Sequence, residues 1–296
     1  MLGLFVARLC GRRKPPSNAE KSAEETSTRD SEGMVLVKDE LIIGVKVMKC
    51  RAFGFAVAAA LVAVVFPGPA YGQTENIAQA YVHTVQLDMV AQFEEAVKRH
   101  VQWRKQNGDP WEWVWYQVVN GDGLGRYLVR SGNHRWADLD TRYAWDDRVG
   151  AGSHFMATVG PYIETENSAI SQLDGALSRP LDDYSEITLF TVTEFDVRLP
   201  GQFREAITKI GQGLDRGGWE RPYLWQMAAN GGAIDATLVI PARDWSELAP
   251  PERSLPMVMA EVYGQEEANE LMDSLARSIR SQSNYTLKVR RDLSLP

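Results

Sequence analysis

The chain contains four histidines, each a possible acid, base or ligand. His83 lies in an alternating stretch with Tyr81, Val85 and Leu87, so it sits mid-strand, where an imidazole can act as a general base or an axial haem ligand. The competing reading is an interior histidine satisfied by a hydrogen bond, because no second histidine or carboxylate stands at chelating distance in sequence. His100 falls on the apolar stripe of a helix, His154 flanks another stripe, and His134 sits in a loop beside Arg135 and Trp136. No pair has metal-ligand spacing, so no metal site is expected. Trp111, Trp113, Trp115 and Gln117 alternate and share one strand face, as do Tyr223, Trp225 and Met227 farther on. Turned into a cavity, such a face suits a flat apolar ligand; turned toward helices, it is core. The opposite face (Glu112, Val114, Tyr116, Val118) is less apolar, which favours the core reading and makes Tyr116 and His83 the cavity candidates. The candidate ligand-binding set is therefore His83, Trp113, Trp115, Tyr116, Gln117, Tyr223 and Trp225.

No catalytic constellation accompanies these residues. Gly121-Asp122-Gly123-Leu124-Gly125 and Gly231-Gly232 connect strands and do not open a helix, so they read as turns and not as phosphate cradles. Ser153 lacks the flanking glycines of a hydrolase elbow. Asp138, Asp140, Asp146 and Asp147 read as a solvated acidic face without calcium-loop spacing.

The whole chain has 296 residues, 44% of them apolar and 24% charged, and a formal charge of −7. These values describe a globular protein and exclude collagen, a coiled coil and a polytopic membrane protein. The acidic balance argues against a nucleic-acid partner. The two cysteines, Cys10 and Cys50, provide neither a disulfide framework nor a thiolate metal site.

Residues 1–47 are polar over much of their length and read as a disordered or mis-annotated extension, with translation beginning at Met48. From Met48 the order is basic residues, an uncharged run from Ala52 to Phe66, Pro67-Gly68-Pro69 and then Ala70-Tyr71-Gly72. This is the layout of a secretory signal peptide over 48–72. As a helix the run would reach about 22 Å, short of the roughly 30 Å hydrocarbon layer, so cleavage is favoured over anchoring. The expected location is periplasmic or secreted, with no membrane association after cleavage.

The remainder repeats itself. Gln92, Phe93, Glu95 and Ala96 match Gln202, Phe203, Glu205 and Ala206, and Trp115, Asn120 and Gly121 match Trp225, Asn230 and Gly231, all at one offset. Trp136 and Leu139 match Trp245 and Leu248 one residue closer, and Leu177, Ser178 and Pro180 match Leu293, Ser294 and Pro296 after a gap placed at Pro250–Pro256. The repeats are 73–182 and 183–296, with His83 set opposite Thr193. Each reads as strand, helix, two strands joined through Asn-Gly, a second helix and a last strand. The first helix carries Phe93, Ala96, Val97, His100 and Val101. The second helical stripes are Phe155, Met156, Val159, Ile163 and Leu271, Met272, Leu275, Ile279. The returning strands are placed at 124–130 and 233–240, and the closing strands at 169–177 and 285–293.

A βαββαβ unit places both helices on one sheet face, and a second copy can cover the other. The fold class is α+β: tandem ferredoxin-like repeats forming a pseudo-dimeric eight-stranded α+β barrel. On this element order, and on the tryptophan after each third strand (Trp136, Trp245), residues 73–296 resemble the dimeric α+β-barrel superfamily. NIPSNAP-like, EthD-like and antibiotic-biosynthesis-monooxygenase-like proteins belong there, as, more distantly, does chlorite dismutase. The resemblance implies a cavity between sheet and helices or between the two sheets, with or without haem. The expected function is an exported protein that binds a small apolar or aromatic ligand without a required cofactor. The alternatives are an oxygenase-like enzyme, cofactor-independent or haem-dependent and centred on His83, and a protein-interaction module using the Pro250–Pro256 insertion. The sequence leaves the oligomeric state open.

Overall fold

The structure is a computed structural model that describes residues 76–295. The extension and the signal segment lie outside the described residues.

Alternation builds the strands and the apolar stripes build the helices much as expected. Strand β1 is Ile77–Val85, α1 is Val90–Gln106, β2 is Val114–Gly121 and β3 is Tyr127–His134. They are followed by α2 (Trp136–Val149), α3 (Ala151–Thr158) and β4 (Ile163–Leu173). The second copy contributes β5 (Leu189–Val197), α4 (Pro200–Arg216), β6 (Leu224–Gly231) and β7 (Ala236–Ala242). It closes with α5 (Leu255–Tyr263), α6 (Gln265–Ser278) and β8 (Ile279–Val289). The sheet is a closed antiparallel barrel in the order β1-β3-β2-β8-β5-β7-β6-β4. Each copy supplies four strands, and the seams are β2 on β8 and β4 on β6. This is the tandem α+β barrel that the sequence implies.

Several boundaries differ from expectation. Ile163 and Ile279 do not end helices but begin β4 and β8, so each closing strand starts six residues early. The returning strands start later, at Tyr127 and Ala236, because the hairpin turns are wider than two residues. Gly121, Gly123 and Gly125 all take positive φ. Gly121 also allows the seam to close, since a Cβ there would lie 2.4 Å from the Asn284 carbonyl oxygen of β8. Two further helices, α2 and α5, precede the expected second helix. Helix α2 buries Leu139, Arg142 and Trp145, and an arginine on the inward face hides its apolar stripe. The acidic run lies on α2 and is not uniformly solvated. Asp138 accepts the Arg135 backbone N–H at 2.8 Å as part of a capping box, and Asp146 turns toward Arg142. The insertion around Pro250 leads into α5.

Three apolar clusters form. One lies between sheet and helices in each copy, and a third, smaller one lies inside the barrel. Trp111, Trp113 and Trp115 belong to the sheet–helix layer with Phe93, Ala96 and Val97. Tyr116 faces the lumen against Val118, Val192, Tyr285 and Leu287. His83 does not share that side: its ring stacks on Trp115 at 5.5 Å and lies beside Phe93 and Phe155. Strand register also corrects the pairing of the copies. His83 faces Tyr127 across the sheet and Phe195 faces Ala236, so the counterpart of His83 is Phe195 and not Thr193. The ring contacts agree, for Phe195 meets Phe203 and Trp225 as His83 meets Phe93 and Trp115. Among the described residues no helix is long and apolar enough to cross a membrane.

Candidate functional site

A cavity of about 240 Å³ opens between the first copy's sheet and its helices. Strands contribute Tyr81, His83, Trp115, Val129 and Glu166, Trp113 lies just before β2, and α1 to α3 contribute His100, Arg104, Arg142, Asp146 and Phe155. Of the candidate residues, His83, Trp113 and Trp115 meet here. Tyr223 and Trp225 line a separate cavity in the second copy, Tyr116 lies in the lumen, and Gln117 accepts a hydrogen bond from Arg290 at 3.2 Å.

The polar groups of the first cavity are close-packed yet incompletely bonded. His83 is buried with Nδ1 3.2 Å from the Glu166 carboxylate, and neither ring nitrogen has a well-formed hydrogen bond. The same holds for His100 Nε2, Arg104 Nη2, Trp113 Nε1, Arg142 Nε and Asp146 Oδ1. A buried polar atom without a partner costs about 1–3 kcal/mol. Native proteins keep such atoms few, and concentrations of them call for an explanation. The guanidinium carbons of Arg104 and Arg142 lie 5.2 and 5.6 Å from the Trp113 ring, so its π-face is already used by cations. Arg104 is paired with Asp109, and Arg142 lies 3.6 Å from Asp146. The wall thus offers both donors and acceptors without a large excess of either charge.

The sequence reading singled out neither arginine, nor Glu166, and it placed Asp146 on a solvated face and Phe155 on a packing stripe. One signal was present: at the stripe positions where α4 has Ile210 and Leu214, α1 has His100 and Arg104. Together with His83 opposite Phe195, these substitutions show that the fold does not require the polar groups. The second cavity, about 290 Å³, is lined largely by apolar residues such as Ile207, Leu214, Trp219, Trp225, Leu255 and Met272. Pro251, Leu255 and Pro256 of the insertion region form part of its wall.

His100 Nδ1 and His154 Nδ1 are 2.8 Å apart, a contact in which one ring donates and the other accepts. Burial above all, then the Arg104 charge and His154, lowers the His100 pKa from 6.5 to about 3. His154 is also lowered, by burial. Between those values the unfolded chain takes up a proton that the folded chain refuses, so stability falls as pH falls through this window. The slope from this group is at most about 1.4 kcal/mol per pH unit. His100→Ile, the residue α4 uses at this place, is expected to flatten the difference in urea-unfolding free energy between pH 6.5 and 4. An unchanged slope would show that His100 is not the group responsible.

A haem does not fit this site. The His83 ring is enclosed by Trp115, Phe93 and Phe155, and the cavity is smaller than the roughly 300–1,000 Å³ usual for drug-sized ligands.

No family model and no curated protein matches the chain. Solved structures do. An anthrone oxidase-like protein is 12% identical over 73% of this chain and 92% of its own, with a TM-score of 0.47. A heme-binding protein from Thermus thermophilus is 12% identical over 74% and 92%, with a TM-score of 0.40. Chlorite dismutase from Candidatus Nitrospira defluvii, in complex with imidazole, is 10% identical over 72% and 91%, with a TM-score of 0.43.

Proposed function

We propose that this protein binds a small planar aromatic molecule carrying hydroxyl or carbonyl groups in the cavity of its first copy. The observation that supports this most is the set of unpartnered polar atoms on His83, His100, Arg104, Trp113, Arg142 and Asp146, gathered around one aromatic-lined space. Rings can pack against Trp115 and Phe155, while ring substituents meet the Trp113 indole N–H and other donors and acceptors that are otherwise unused. The volume suits one or two fused rings.

A panel comparing naphthalene with hydroxylated naphthalenes tests this by isothermal titration. The hydroxylated compounds are expected to bind at least tenfold more tightly than the hydrocarbon. That preference should collapse in Trp113→Phe, which removes the indole N–H. Equal binding of all compounds, or an unchanged preference in the variant, would refute the proposal.

A cofactor-independent oxygenase-like activity is the second reading, supported by the 3.2 Å approach of His83 Nδ1 to Glu166. His83 would take a phenolic proton and Glu166 would stabilise the resulting imidazolium. Dioxygen uptake with the tightest-binding phenol checks it, and no uptake above the uncatalysed rate would exclude it for that compound. Export rests on residues 48–72 alone; sequencing the secreted protein is expected to give a first residue near Gln73, and retention of Met48 would overturn it.

A further inference from the structure

We infer a second, separate site inside the barrel, built for a small carboxylate around Arg130. Arg130 lies on β3 between Ala80 of β1 and Val114 of β2. Its strand neighbours Tyr127 and Val129 point to the helix-side core, so Arg130 points to the lumen, as Tyr116 does. The guanidinium folds along β3 over Gly132, where a Cβ would lie 2.7 Å from Nη1. Its Nε is buried without a partner, and no carboxylate forms an ion pair with it among the described residues. A half-buried guanidinium whose Nε is shut off from water without a partner or counter-charge is costly, and this one stays protonated because arginine cannot shed its proton in the usual pH range.

The second copy again acts as an internal control. Strand register sets Arg130 opposite Val239, since Val114 pairs with Arg130 and Leu224 with Val239. The same register relates Ala78, Ala80, Ala169 and Ser171 on the β1–β4 side to Phe190, Val192, Tyr285 and Leu287. The first copy has therefore exchanged large lumen side chains for small ones next to a cation without an ion-pair partner among the described residues. Additional donors face the same region. The Tyr116 hydroxyl makes no hydrogen bond to the described protein. The Tyr184 hydroxyl only accepts, from the Leu181 N–H at 3.1 Å, and its ring stacks on Phe190. Both tyrosines lie near Arg130. A planar carboxylate suits the arginine fork, and a tyrosine O–H can bond the same oxygens.

The full chain is melted in increasing acetate or propionate, against chloride at equal ionic strength. A saturable rise in Tm is expected with at least one carboxylate, with an apparent Kd at least tenfold weaker in Arg130→Met. In chloride alone Arg130→Met is expected to melt no lower than the parent protein, because it removes an uncompensated charge. Tyr116→Phe, a milder change, is expected to weaken the carboxylate response severalfold. His83→Phe should leave that response intact, which separates this site from the first cavity. No carboxylate response beyond chloride, a response unchanged in Arg130→Met, its loss in His83→Phe, or stabilisation by phosphate alone would each overturn the inference.

Discussion

Replacing His83 with phenylalanine is expected to stabilise the protein by about 1–3 kcal/mol while removing its preference for hydroxylated aromatic ligands. The second copy has already placed Phe195 at this position, between Phe203 and Trp225, with ring contacts of 5.6 and 5.7 Å. The Phe93 and Trp115 rings that receive the new side chain in the first copy match that environment. The substitution therefore adds a ring of known fit and removes two buried nitrogens that lack hydrogen bonds. It also removes the His83 ring from beside Glu166, but that carboxylate is more than a third exposed and keeps its hydration. Urea unfolding and ligand titration of the same variant check both halves of the prediction. A loss of stability would mean that His83 has an intramolecular role which the geometry does not reveal, and unchanged ligand preference would remove it from the site.

Opposite movements of stability and binding are expected wherever a site is built at the expense of packing. His100 and Arg104 make the same point on α1, standing where α4 has Ile210 and Leu214. A homologous copy within one chain provides a control of unusual directness, because both copies share fold, solvent and evolutionary starting point. One copy has a polar, incompletely bonded cavity and the other a largely apolar one.

The barrel was legible because its elements obey simple periods: alternation in β1 and β2, and an i, i+3, i+4 stripe in α1. The duplication then told how one sheet face could be covered. Helix α2 was not legible, because Arg142 occupies an inward position that periodicity assigns to an apolar residue. The offset between the copies slips in the connection from first strand to first helix, where residues 86–89 lie between Val85 and Val90 but only 198–199 between Val197 and Pro200. Carrying the helix offset back across that connection sets His83 beside Thr193 when strand register pairs it with Phe195. The site itself was only partly legible. Its aromatic wall announces itself on β2, whereas Arg142, Asp146 and Glu166 come from elements far apart in sequence that only the closed fold brings together.

The largest effect is expected from separating the copies. Residues 73–182 expressed alone should not form a monomer that melts cooperatively. Without its twin, β2 and β4 become open edges and the lumen face meets water. The dependence extends beyond the sheet, because each copy sends the segment after its last strand into the other. Leu293 and Leu295 are buried in the first copy's core, and Leu177 is buried in the second's. Leu295 exchanges two backbone hydrogen bonds with Trp113, at 2.8 and 3.2 Å. Ser294 accepts from the Trp115 N–H at 2.9 Å, mirrored by Ser178 and the Trp225 N–H at 2.8 Å. Arg290, just after β8, bonds Glu94 of α1, holding that carboxylate below its usual pKa. Each buried leucine contributes about 1.5–3 kcal/mol, so losing two of them with their hydrogen bonds removes a large part of a typical domain's roughly 5–15 kcal/mol. Calorimetry and sedimentation of the single copy, alone and after mixing with residues 183–296, provide the check. The expected result is no cooperative transition alone and recovery of one on mixing, since the tails and edges then find their partners. A compact, monomeric first copy with a sharp melting transition would show instead that each half supports itself and that the exchanged tails add little.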